Sequence, residues 1–218
     1  MSFTFDDFPR SALRTGGAIL SSFGARGTYY AAFGLMGGQA PTGTMFEATD
    51  ITQLLAAGHE LGCHTFGHCD SWETDAATFA ASLRQNAAAL AKIAPGALFR
   101  SFSYPLTEPH PSVKRTAGEH FASCRAGGQI FNRGTADLRL LKAFFIEKSV
   151  RDPERIRALI EANRRANGWL IFATHDVSDD PTPYGCTPDF FRTVVRWSVE
   201  SGARILTVAA AVEQAIAG

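Results

Sequence analysis

The stretch "SFTFDD" (Ser2 to Asp7) decides between two architectures. Phe3 to Phe5 read as a short buried strand, and two carboxylates close it. An open doubly wound sheet usually places a Gly-rich phosphate turn directly after its first strand. Here Asp6 and Asp7 occupy that place. Aspartate favours turns, so a polar turn is the plain reading of the pair. The sharper reading is a strand delivering two carboxylates to the rim of a parallel α/β barrel, where active sites lie.

Working outward, short apolar runs alternate with longer helical stretches. Residues 10–23 predict a helix stopped by Gly24, and "GTYYAAF" (27–33) a second strand. Residues 34–48 hold glycines and a proline and predict a loop, after which Thr49 caps a helix ending at Gly58. "ELGCHTF" (60–66) reads as a third strand, followed by an Ala-rich helix over 73–93 that ends before Pro95. "ALFRSFSY" (97–104) is a fourth strand, and "HFASC" and "LLKAFFI" are weaker candidates. Asp152-Pro153 and Thr187-Pro188 are cap-plus-proline helix starts. "WLIFAT" (169–174) is a buried strand, and "RILTV" with "AAAVEQAIA" make a last strand and helix. Seven or eight strand–helix alternations without a repeat or linker predict one domain over 1–218 with parallel strands. An irregular (β/α)7-8 barrel leads and the open sheet follows.

Bulk properties exclude several classes. With 21 Lys+Arg against 21 Asp+Glu, no basic field attracts nucleic acid. No apolar run reaches a membrane-spanning length. No secretory signal opens the chain, so the expectation is a cytoplasmic protein, or an exported one whose leader was removed. Cys63, Cys69, Cys124 and Cys186 form no CxxC pair and read as reduced thiols.

The predicted strand ends collect chemistry. The first carries Asp6-Asp7, the third His64 and His68, and the fifth Arg125. "WLIFAT" leads into His175-Asp176. Two imidazoles three residues apart, with a carboxylate from another strand and water in the open position, make a catalytic zinc pattern. Adjacent carboxylates can then divide, one holding metal and the other facing substrate, because consecutive strand side chains diverge. Cys63 and Cys69 flank the His pair, but Cys63 precedes His64 on the strand and should face away. His59 and His120 sit beside apolar runs and read as structural. Trp72, Phe66 and Tyr184 offer faces for sugar rings or for ordinary packing.

These residues resemble the polysaccharide deacetylase family, the metal-dependent carbohydrate esterases with a chitooligosaccharide deacetylase homology domain. "TFDD" at 4–7, "HTFGH" at 64–68, "FSYP" at 102–105 and "LIFATHD" at 170–176 match its motifs in order. The resemblance implies an irregular β/α barrel that hydrolyses N-acetyl, less often O-acetyl, groups on a small or oligomeric carbohydrate. Asp6 would be the base and His175 the acid. Asp7, His64 and His68 would hold a divalent ion, zinc first, with cobalt, nickel or manganese as substitutes. Tyr104, Pro105 and Leu106 would touch substrate, joined by Trp72. The chain departs from the family where Ser103 and Leu106-Thr107 replace an Arg and a Tyr-Gly, and no Asp-Trp motif follows. Arg125 is the candidate for the absent arginine, reaching Asp6 across the barrel mouth, while Arg100 lies too far back on its strand. Competing functions are an amidohydrolase acting on a non-peptide C–N bond of a non-sugar, and a non-catalytic carbohydrate- or metal-binding protein.

Overall fold

The computed structural model describes residues 1–217. Seven parallel strands form one curled sheet in the order β7-β6-β5-β2-β1-β9-β8. They are β1 (Ser2–Phe5), β2 (Thr28–Ala31), β5 (Glu60–Cys63), β6 (Ser101–Ser103), β7 (Ser123–Arg125), β8 (Phe144–Phe145) and β9 (Ile171–Thr174). A two-stranded hairpin of β3 (Gln39–Ala40) and β4 (Gly43–Thr44) lies in the predicted 34–48 loop. The helices are α1 (Ala18–Ser22), α2 (Ala48–Ala56), α3 (Ala76–Ile93), α4 (Pro111–His120), α5 (Glu154–Arg165), α6 (Pro188–Glu200) and α7 (Val208–Ala217). No helix among the described residues is long and apolar enough to cross a membrane.

The central strand β1 pairs with β2 on one side and β9 on the other, with Thr4 opposite Thr28 and Ala173. Its alternate residues face different layers. Phe3 and Phe5 pack against Phe191 of α6, and Phe5 stacks on Tyr29. The Thr4 hydroxyl faces the other side and donates to the Phe172 carbonyl. Chain 138–145 links the two sheet edges. Its Leu141 bridges Arg125 in parallel, and Phe144 and Phe145 pair with β9.

Local signals placed the helices. Asp75 accepts the N–H groups of Ala77 and Thr78 to start α3, and Thr187 caps α6 ahead of Pro188. Five expectations are corrected. Asp152 makes no side-chain cap at α5, where Pro153 takes the cap position. Residues 10–23 begin with a π-helical turn, Ala12–Gly17, rather than a plain α-helix. The cap of α2 is Glu47, not Thr49, and the Asp50 carboxylate accepts the Glu47 N–H at 2.8 Å. The third strand stops at Cys63, because Thr65 and His68 take positive φ of 59° and 53°. "RILTV" is not a strand, although the Leu206 N–H donates to the Met1 carbonyl. All four cysteines are free, and Cys63 lies in a cluster with Phe79 and Phe102.

Candidate active site

Strand ends β1, β5 and β9 and the loops after β6, β7 and β8 surround a cavity of about 830 Å³. Its wall includes Asp6, Asp7, His64, His68 and His175. The backbone there is held in uncommon conformations. Of eight non-glycine residues with positive φ among the described residues, five line the cavity: Asp7, His68, Leu106, Thr107 and Gln129. Each such residue costs about 1–3 kcal/mol, and such strain concentrates where side chains must be aimed.

The two aspartates separate at this turn. Asp7, at φ 62°, aims Oδ1 at His64 Nε2 (3.4 Å) and His68 Nε2 (3.2 Å), while Oδ2 accepts from the Thr42 hydroxyl at 2.9 Å. His64 Nδ1 donates to the Ser103 carbonyl at 2.8 Å. A carbonyl can only accept, so Nδ1 carries a proton, and in the neutral ring Nε2 is the nitrogen free to bind a metal. Asp7 Oδ1 is buried and has no hydrogen-bond partner. A tetrahedral ion with N and O bonds of about 2.0–2.1 Å puts its donor atoms about 3.3 Å apart. The observed spacings, the tautomer and the orphaned oxygen all fit a divalent ion on Asp7, His64 and His68. Burial opposes ionisation of Asp7, but contact with both imidazoles keeps its pKa far below the usual carboxylate range. Burial disfavours the His68 cation, yet the Asp7 carboxylate raises its pKa overall.

Asp6 faces the barrel interior and pairs with Arg125, which also donates to the Ser103 hydroxyl. Arg125 has no solvent exposure and lies over the rings of Tyr30 and Phe145, 5.3 and 5.4 Å from their centroids. Burial alone would raise the Asp6 carboxyl; the guanidinium, with His64 and His175, outweighs it and holds the pKa below normal. Arg100 is on the outside, paired with Glu213. His175 follows β9. Its Nδ1 donates to the Tyr184 carbonyl at 3.1 Å, and Nε2 is the ring nitrogen outside that bond. Tyr184 sits in the 176–185 loop, where Asp176 accepts from the Thr182 N–H and hydroxyl. Gly185 presses on that carboxylate so closely that a Cβ would collide with it.

Leu106 lines the cavity, but Tyr104 and Pro105 do not. The Tyr104 ring is fully buried beside Phe102, and its hydroxyl donates to the Arg139 carbonyl. Trp72 stands outside the cavity, in an adjoining groove. His59 is structural: its Nδ1 accepts the Gly27 N–H, and burial lowers its pKa to about 4. Glu147 was not anticipated. It lines the cavity after β8, with Oε2 buried and unpartnered, and burial raises its carboxyl to about 8. The sequence signal was available, since a carboxylate follows the apolar run Ala143–Ile146 as Asp6 follows Phe5.

Fold and site together define a parallel β/α barrel with a metal-competent His₂Asp cluster and an arginine-paired carboxylate at one rim. The sequence profile described as polysaccharide deacetylase matches residues 1–120, and the chain belongs to that family. No curated protein sequence matches it. Among solved structures it resembles a family 4 acetyl xylan esterase from Clostridium thermocellum in complex with a cobalt ion, at 17% identity and TM-score 0.67, covering 96% of this chain and 88% of that one. It also resembles the Xyl-CE4 domain of a multidomain xylanase from the hindgut metagenome of Trinervitermes trinervoides, at 15% identity and TM-score 0.63, covering 98% and 89%. A third is BA3943, a CE4 family pseudoenzyme from Bacillus anthracis, at 11% identity and TM-score 0.66, covering 97% and 64%. At these identities the likeness is one of fold.

Proposed function

We propose that this protein is a metal-dependent hydrolase that removes N-acetyl, or O-acetyl, groups from a carbohydrate. The observation that carries the reading is the Asp6 carboxylate, kept ionised by Arg125 beside the His₂Asp cluster, with His175 lining the same cavity. Asp7, His64 and His68 would hold the ion, and a mixed imidazole–carboxylate set suits zinc. When bound, the ion supplies Lewis acidity, making water a stronger acid and an acyl carbonyl a better electrophile.

The chain's own groups handle the protons. Asp6 is the base that accepts a proton from the attacking water, and Arg125 fixes the orientation of its carboxylate. His175, tied at Nδ1 to the Tyr184 carbonyl, delivers a proton from Nε2 to the departing nitrogen. Leu106 and Tyr184 lie on the wall where an acetylated sugar would rest. A pseudoenzyme shares this fold. The presence of Asp6, Asp7, His64, His68 and His175 around one cavity favours catalysis here.

Release of acetate from N-acetylated oligosaccharides, followed with the metal stripped and then restored, is the test. His64→Ala serves as the metal-site control and an N-acetyl aryl amine as the non-sugar comparison. Turnover of the sugar that disappears with the metal and returns with it is expected. Turnover of the aryl amide alone would transfer the reading to a non-sugar amidohydrolase, and no turnover of either would leave a binding protein.

A further inference from the structure

A second groove of about 960 Å³ adjoins the catalytic cavity. Thr107, Glu108, Gly127 and Gly128 line both, so one extended ligand can occupy the two without leaving the surface. Lys114, Arg115, Arg139 and Lys142 line the groove, against the carboxylates of Glu108 and Asp137. Asp137 is taken up by Lys114. Among the described residues Arg115, Arg139 and Lys142 have no carboxylate within ion-pair distance. Arg115 and Lys142 thus gather beside the site without a carboxylate partner, together with Arg139, whose charge Asp137 also feels, in a chain with a formal net charge of zero.

The groove is also built for contact. The Arg139 guanidinium lies against Gly118, where any Cβ would collide with it. Lys142 lies against Gly128, whose φ is 139° and where a Cβ would come within 2.8 Å of the lysine stem. Both cations can therefore lie low against the backbone. At the far wall Trp72 is 64% exposed, and its indole N–H donates to the Glu108 carbonyl at 3.0 Å. His110 meets the ring edge-on at 5.0 Å. Pinned this way, the ring can present a face to a sugar.

From this continuity and charge we infer that the substrate is an anionic oligosaccharide. The unit being deacetylated lies in the cavity, and neighbouring units bearing carboxylate groups lie along Arg115, Arg139 and Lys142, with one ring on Trp72. This rests on the carbohydrate reading above and narrows it to a class. Nucleic acid is disfavoured as the occupant, because the groove offers one aromatic platform rather than a series for stacking successive bases.

Calorimetric binding tests the inference without requiring turnover, so its failure and that of the hydrolase reading can be told apart. The ligands are an N-acetylheparosan hexasaccharide, which alternates N-acetylglucosamine and glucuronate, neutral chitohexaose, and a hexanucleotide of deoxythymidine. At about 50 mM salt the anionic sugar should bind about tenfold tighter than the neutral one, since clustered charge raises the local concentration of a counter-charged ligand. At about 500 mM salt, where screening is short-ranged, the preference should shrink severalfold. An Arg115→Gln/Lys142→Gln variant with a normal melting curve should lose most of it. Equal affinities for the two sugars would overturn the inference, as would a preference indifferent to salt and to the variant. Failure of both sugars to bind, or an oligonucleotide that binds as tightly as the anionic sugar, would overturn it too.

Discussion

Asp6 sits against a guanidinium and Asp7 against two imidazoles, so removing one charge from each gives different losses. Asp6→Asn should retain the metal and lower turnover by about 100- to 10,000-fold, the usual weight of a general base. Asp7→Asn should lower metal content as well. Elemental analysis beside steady-state rates separates the two, and wild-type turnover in Asp6→Asn would remove that residue from the base role. His175 gives a selective signature. An amine leaves poorly without a proton, whereas an activated aryl acetate leaves unaided. His175→Ala should therefore nearly abolish deacetylation of the amide while keeping much of the aryl acetate activity. Equal falls on both substrates in a well-folded variant would contradict the acid role.

At the scale of elements, the short helical turn after β8 holds an unusual group. Burial raises the Glu147 carboxyl from about 4.5 in an unfolded chain to about 8. Between those values the folded protein keeps a proton that the unfolded chain has released. Stability should fall as pH rises through that window and level off above about 8. Glu147→Gln cannot titrate, so its chemical-denaturation midpoint should decline less steeply over the same range. Parallel slopes for variant and parent would mean that Glu147 ionises normally in the fold. How much of each element could be read beforehand depended on the kind of signal. The start of α6 was legible because Thr187-Pro188 is a local device, and β1 because a short apolar run ends at paired charges. "RILTV" misled because an apolar run says nothing of whether a sheet neighbour is free to pair. Motif position does not show which way a ring turns, and the Tyr104 ring turns into the core. The acceptor that fixes His175 is a backbone carbonyl, a group every residue carries and no composition reveals. Arg125 is legible because its strand, like that of Asp6, ends at the same rim of a parallel sheet.

For the whole molecule, the metal site joins distant parts of the chain, since Asp7 lies 57 and 61 residues from His64 and His68. Any ion bound only by the folded state stabilises it, by about 2.7 kcal/mol at a hundredfold excess over Kd. Zinc should raise the melting temperature in a concentration-dependent way, and chelation should reverse it. Protons compete for His68, whose pKa is raised by Asp7, so the zinc-induced shift should weaken as pH falls. A shift of the same size in His68→Ala would place the ion elsewhere.

The linking segment 138–145 has a consequence for colloidal behaviour. The Leu141 N–H donates to the Cys124 carbonyl at 2.9 Å, and the Leu141 carbonyl accepts from Ala126 at 2.8 Å. β7 therefore never presents a bare row of donors and acceptors on this side. An uncovered strand margin is a template on which a second chain can assemble. Leu141→Pro deletes the donor and forces the segment off β7. The variant should form dye-binding, fibre-like aggregates at concentrations where the parent stays dispersed, whereas Leu141→Ala, which keeps the N–H, should lose stability without the same fibre growth.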